Sequence, residues 1–180
     1  MAPEYNVEPP MVPEEIEAQV RAELDRLGAR YEWMPCDPEF ADTAAFCAKY
    51  GVDPADSANA IVVAARKDPA VRSLCLVLAT TKLDVNHKVS ELMGVRKLSF
   101  ASADETRAAT GMLIGGVTPF GLPTPLPIYV DRRVLGRPQV VVGGGSRSSK
   151  VRVDPEVFGR LPGCQVVDGL ATDREPSSGA

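Results

Sequence analysis

The chain has 180 residues, 44% of them hydrophobic and 24% charged, with a formal net charge of −4. That length and balance suit one globular domain with a proper core, and they exclude a low-complexity or highly charged disordered chain. The longest apolar run, Leu74 to Ala79, is about a third of what a membrane-spanning helix needs, so no membrane association is expected.

The chain opens MAPEYNVEPPMVPEE, acidic and Pro-rich, with neither a basic start nor an apolar run. A secretory signal is not expected, and a cytoplasmic location is. The cysteines, Cys36, Cys47, Cys75 and Cys164, are scattered without a CxxC pair or metal-like spacing. Reduced thiols in the core are the expected state, with no metal and no cofactor. The charge is unevenly spread. Residues 81–153 hold eleven Lys/Arg against five Asp/Glu, so that span is +6 and the remainder −10. One basic face on an acidic protein is the arrangement a polyanion would need, and a mixed solvated surface is the other reading.

In chain order, residues 1–12 read as a loose, Pro-rich start. Residues 13–170 read as a single domain, and 171–180 (ATDREPSSGA) as a disordered tail. Ile16, Val20, Leu24 and Leu27 form one stripe of a helix over 14–27, with Pro13 at its start and Gly28 closing it. Tyr31–Met34 is a short strand. Asp42 is placed to cap a helix through Tyr50 that Gly51 ends. Ala60–Ala65 and Leu74–Thr80 are nearly continuous apolar runs, the pattern of strands buried on both faces. Asp84 is placed to cap a helix to Met93, with Gly94 as its terminator.

Ser102 with Glu105 makes a capping box for a helix through Ala109. Met112–Ile114, Pro127–Val130 and Val140–Val142 read as strands. Lys150–Val153 and Cys164–Val167 read as edge strands around a helical turn near Val157. Helices and strands intermix without a βαβ rhythm. The expected class is therefore α/β in composition and α+β-like in layout, a mixed sheet with packed helices.

Two Gly-rich segments could carry chemistry: Thr110–Pro123, containing Gly115-Gly116-Val117-Thr118-Pro119, and Val142–Ser148, containing Gly143-Gly144-Gly145-Ser146-Arg147. Glycine runs permit positive φ and let a ligand approach backbone N–H groups, which can hold an anion or a developing oxyanion. Neither segment is a phosphate loop or a dinucleotide fingerprint. Ordinary turns are the competing reading. His87, the only histidine, falls on the helix after Asp84 and reads as a surface residue rather than a general base.

As a constellation, TG-xxx-GG-x-T-P-x-G followed some twenty residues later by a strand ending in GG resembles the YbaK/ProX family. The stretch LVLATTKLDVNHKVSELMGVRKLSFASADETRAATG strengthens the resemblance, which spans roughly residues 40–155. It implies a YbaK-type, prolyl-tRNA-synthetase-associated domain fold. The implied activity is metal-free hydrolysis of the ester of mischarged aminoacyl-tRNA, by a free protein or by a domain of a synthetase.

By that resemblance Gly116 and Gly145 supply catalytic backbone groups, while Gly115, Thr118, Pro119 and Gly144 bind substrate. The tRNA acceptor end is the implied partner, with an aminoacyl-tRNA synthetase as a possible second.

Two departures stand out. The family's lysine at the start of the first buried strand is matched here by Ala60, and the serine before the second glycine pair by Gly143. Lys82, Arg147 and Lys150 are the nearest substitute cations, and Asn59 beside Ala60 is an alternative donor. A non-catalytic binder of the acceptor end, or of a nucleotide-like ligand, is the alternative that the lost lysine leaves open.

Overall fold

The computed structural model describes residues 11–174. Helix α1 (Pro13–Arg26) begins with Pro at its first turn and Glu14 and Glu15 beside it, and buries Ile16, Val20 and Leu24 on one face. Strand β1 (Tyr31–Pro35) and helix α2 (Thr43–Tyr50) follow, the latter closed by Gly51 in the left-handed conformation. Then come β2 (Ala58–Ala65), β3 (Arg72–Leu78) and β4 (Thr81–Leu83). A wide helical turn, Val85–Val89, runs into α3 (Ser90–Met93). Next are β5 (Leu98–Phe100) and α4 (Ala103–Thr110), the latter with both bonds of the expected capping box.

The chain is completed by β6 (Ile128–Asp131), α5 (Arg132–Leu135), β7 (Val140–Gly143), β8 (Ser149–Val153), a 3-10 turn (Pro155–Arg160), β9 (Cys164–Val167) and β10 (Ala171–Asp173).

These strands form a five-stranded sheet in the order β5-β2-β3-β6-β9, a three-stranded sheet β1-β8-β7, and the pair β10-β4. The large sheet is mixed: β2 pairs antiparallel with β3 and β5, whereas β3–β6 and β6–β9 are parallel. A parallel bridge from Ser57 to Val141 joins the two larger sheets.

The alternation of side chains along β2 and β3 explains why both strands read as apolar throughout. Ala58, Val62, Leu74, Leu76 and Leu78 enter one core with α1 and the small sheet. Val63, Ala65, Cys75 and Val77 enter a second core under β4, Val85, Val89 and Leu170. Each buried Val or Leu contributes about 1.5–3 kcal/mol of transfer free energy, so both faces of this hairpin hold the domain together.

The mixed sheet with packed helices is therefore the observed class. Several details differ from the sequence reading, which also assigned no strand at β4 or β5. Met112–Ile114 is not a strand. Met112 is fully buried while Leu113 and Ile114 are half exposed, and the segment lies in turns between the left-handed Gly111 and Gly115. Strand β8 is the centre of its sheet rather than an edge. Of the disordered tail expected over 171–180, Ala171–Asp173 form a strand paired with Thr81–Leu83, and 175–180 lie outside the described residues. The single-turn helix α5 was not anticipated, having only four residues and no apolar stripe.

At the N-terminus, Met11 packs against the core and Val12 leads directly into α1, and residues 1–10 of the expected loose start lie outside the described residues. Among the described residues no helix is long and apolar enough to cross a membrane.

Candidate functional site

The two glycine segments meet. The Gly145 N–H donates to the Gly116 carbonyl at 2.8 Å. A Cβ on Gly116 would sit 2.5 Å from the Ser146 backbone, and one on Gly143 would sit 2.3 Å from the Val117 carbonyl. Only glycine allows this backbone-on-backbone approach. The Gly143 contact also supplies a geometric reason for the missing serine, since any side chain there would run into the first loop.

Beside this junction opens a cleft of about 320 Å³. Its walls come from the start of β2 (Ala58 to Ile61), the first loop (Ile114, Gly115, Val117), Gly143, and Asp42 and Thr43 at the start of α2. Lys150 enters from β8. It stands opposite Gly143 in the antiparallel register, and both residues line the cleft. The Lys150 ammonium donates to the carbonyls of Ala41 (2.6 Å) and Gly115 (2.8 Å), and lies 5.4 Å from the centroid of the Phe46 ring. Burial pushes its pKa below the ordinary lysine value, with Arg147 adding to the shift and nearby thiols and Asp42 opposing it. A lysine thus reaches the cleft that Ala60 lines, from a different strand.

Asn59 faces Thr43, whose hydroxyl donates to the Asn59 side-chain carbonyl at 2.5 Å. In that orientation the Asn59 NH₂ remains as a donor at the cleft wall. Arg147 clamps the rim: it donates to the carbonyls of Ile114 (2.7 Å) and Pro38 (2.9 Å) and to the Asp42 carboxylate (3.1 Å).

The other sequence candidates divide. The N–H groups of Gly116, Gly144 and Gly145 are already bonded, to Leu113, Ser149 and Gly116 carbonyls respectively. They build the junction and have no free proton for an oxyanion. The N–H groups of Gly115 and Val117, both at the cleft, take no acceptor among the described residues. Gly145 has φ +101, and a Cβ there would press on Ile16 and Val20 of α1 at 2.9 Å, so it seats the second loop on the helix.

Thr118 is fully buried, its hydroxyl without a partner among the described residues. Pro119 faces a separate small pocket with Leu122 and Leu126. Lys82 is exposed on β4, paired with Thr172, and does not line the cleft. His87 has 89% of its side chain exposed beside Asp84. Cys36, Cys47, Cys75 and Cys164 are all free thiols.

The expected basic face is partly consumed. Arg132, Arg133, Arg137, Arg147 and Arg152 pair with Asp168, Asp173, Asp56, Asp42 and Glu32, every one of them outside the basic span. Fold thereby redistributes a charge asymmetry that is sharp along the chain.

Comparison with known proteins agrees with this geometry. The sequence profile of the aminoacyl-tRNA editing domain matches residues 37–161, a span that includes every wall of the cleft. The chain belongs to the aminoacyl-tRNA editing domain family. Among solved structures it is similar to a candidate trans-editing enzyme for prolyl tRNA synthetase. The identity is 28% and the TM-score 0.72, over 88% of this chain and 97% of that one. It is also similar to a scaffold used for computational grafting of linear epitopes, at 26% identity and TM-score 0.71 over the same shares. The hypothetical protein APE2540 shares the fold at 24% identity and TM-score 0.73, over 83% of this chain and 97% of that one.

The editing-domain family was legible in the glycine spacing, but Asp42 and Thr43 were not recognised as cleft residues. Nothing in the sequence around them signals more than a helix start.

Proposed function

We propose that this editing domain hydrolyses the ester of mischarged aminoacyl-tRNA, acting in the cytosol without a metal. The observation that carries the reading is the buried Lys150 amine in the cleft beside Ala60, at the junction of the two glycine loops.

In this reading the 3′-terminal aminoacyl ester enters the cleft, and a water molecule attacks the ester carbonyl carbon. The carbonyl oxygen becomes an oxyanion, and the donors left at the cleft wall hold it: the Asn59 NH₂, the Gly115 and Val117 N–H groups, and the third Lys150 proton. Two of the Lys150 protons are committed to the Ala41 and Gly115 carbonyls, which fixes the direction of the third. Collapse of the intermediate breaks the bond between the carbonyl carbon and the ribose oxygen and releases the amino acid, and a proton of the attacking water passes to that ribose oxygen. An activated ester needs no protein nucleophile for this, because positioned water and oxyanion donors lower the barrier by themselves. Arg147 and Lys150 also give the cleft positive charge for the acceptor-end phosphates. By extension from the trans-editing relative, the mischarged tRNAs of prolyl-tRNA synthetase are the first to test, and that synthetase is the first partner to seek.

The deciding experiment is a panel of mischarged tRNAs incubated with the protein in the presence of a chelator. Release of free amino acid from at least one tRNA, abolished in Lys150→Met, is the expected result. Salt-dependent tRNA binding without turnover of any member would instead make the chain a binding module.

A further inference from the structure

Six aspartates among the described residues occupy the position just before a helix or helical turn. Asp37, Asp53, Asp84, Asp131 and Asp154 each accept a bond from the backbone N–H two or three residues on. Asp42, ahead of α2, does not. The backbone of Asp42 is extended as a cap requires (φ −67, ψ 141), and Thr43–Tyr50 is a full helix. The usual stabilisation from such a cap is forgone here.

The side chain turns to the cleft instead. It is the only carboxylate on the cleft wall. One oxygen takes the Arg147 guanidinium at 3.1 Å, and Arg147 is itself pinned by the Ile114 and Pro38 carbonyls. The carboxylate is thereby oriented without being covered, for 67% of its side chain remains exposed.

We infer that Asp42 reads the free α-ammonium group of the aminoacyl ester, restricting the substrate class to aminoacyl esters whose amine is not acylated. This rests on the deacylase reading of the cleft. The chemistry is direct: an aminoacyl ester carries a cationic amine one carbon from the scissile carbonyl, whereas an N-acylated ester carries a neutral amide there. A held carboxylate beside the oxyanion donors binds the first by a charge-assisted hydrogen bond and offers the second no partner. Asp42 is a specificity residue in this account, and the reacting atoms are left to Lys150, Asn59 and the loop N–H groups.

The test uses the full chain and the aminoacyl-tRNA it hydrolyses fastest, compared with the same tRNA after N-acetylation. Wild-type protein is expected to favour the free amine by about ten-fold or more in kcat/KM, the scale of one charge-assisted bond. In Asp42→Asn the ratio of the two rates should fall to within about two-fold of unity. A wild type that hydrolyses both equally overturns the inference. So does an Asp42→Asn protein that keeps the wild-type ratio, including one in which both rates fall together because Arg147 has lost its anchor.

Binding of 3′-alanylamino-3′-deoxyadenosine and its N-acetyl derivative, measured by calorimetry, reads the same preference without turnover. If no tRNA is hydrolysed but the free-amine analogue binds more tightly and loses that advantage in Asp42→Asn, the deacylase reading fails and amine recognition stands. Equal binding of both analogues overturns amine recognition.

Discussion

The Gly145 N–H donates to the Gly116 carbonyl, and this single 2.8 Å bond brings together two loops about thirty residues apart in the chain. Around it the loops approach so closely that side chains are excluded on both sides. Gly116→Ala places a methyl 2.5 Å from the Ser146 carbonyl carbon and oxygen, and Gly143→Ala places one 2.3 Å from the Val117 oxygen. Those neighbours are backbone and cannot swing aside.

Each of these two substitutions is expected to destabilise the fold by about 2 kcal/mol or more and to abolish ester hydrolysis. Gly159→Ala is the control, because nothing lies within 4 Å of its Cβ position and its φ is not positive. It should leave stability within about 0.5 kcal/mol of wild type. Urea unfolding of the three variants checks the difference; equal stability in all three would sink the close-approach account.

Asn59 and Thr43 form the second testable pair. Asn59→Ala removes a donor from the proposed oxyanion site and is expected to lower kcat by roughly 10²-fold. Thr43→Val keeps the shape but frees the Asn59 amide to rotate. Loss of that one neutral hydrogen bond should lower kcat by up to about ten-fold. In the double variant the Thr43 effect should vanish, since Thr43 acts only through Asn59. Single-turnover kinetics on the four proteins give the cycle directly, and simple additivity would refute the coupling.

Arg147 joins three segments: the first glycine loop at Ile114, a short 3-10 turn (Pro38–Phe40) at Pro38, and Asp42. Arg147→Ala should loosen the loop that carries Gly115 and Val117. Amide exchange at Gly116, whose N–H is bonded to the Leu113 carbonyl, is expected to speed up, and KM to rise by about ten-fold with a smaller change in kcat. Unchanged exchange in that loop would show that the clamp is incidental.

These residues also show how far sequence could be read. The β2–β3 hairpin was legible because its strands face two cores, so that Ala60–Ala65 and Leu74–Leu78 are apolar at every position. The glycine loops were legible from their spacing, and so was the family. Met112–Ile114 misled, because three apolar residues read as a strand although only Met112 turns inward. Strand β10 was hidden, since Ala171-Thr172-Asp173 has no apolar run and exists only through its distant partner β4. Lys150 was recognisable as a cation but not as a buried one. Its strand alternates Lys150 and Arg152 with Val151 and Val153, the usual signature of an edge with a wet face. At Lys150 that face is instead covered, because its amine is held by the carbonyls of Ala41 and of Gly115 in the first loop, while Arg152 stays partly exposed and pairs with Glu32.

The last prediction concerns that amine and pH. Burial lowers the folded-state pKa of Lys150 below the ordinary 10.5 of the unfolded chain. Between those two values the unfolded chain holds one more proton than the native protein at this position. Stability contributed by Lys150 therefore rises with pH across that window, and is flat below the folded pKa and again above 10.5. Burial raises the pKa values of Tyr31, Tyr129, Cys36, Cys47, Cys75 and Cys164, and these groups pull the total stability the other way as pH climbs.

Comparison with Lys150→Met removes most of that background, because the same groups are present in both proteins. The difference in unfolding free energy, wild type minus Lys150→Met, is expected to climb as pH is raised from 7 toward 10.5. Urea titrations at half-unit steps measure it. A difference that stays level, or falls, would mean that the Lys150 ammonium is no harder to keep charged in the fold than in water, and the buried-amine geometry at the cleft would be wrong.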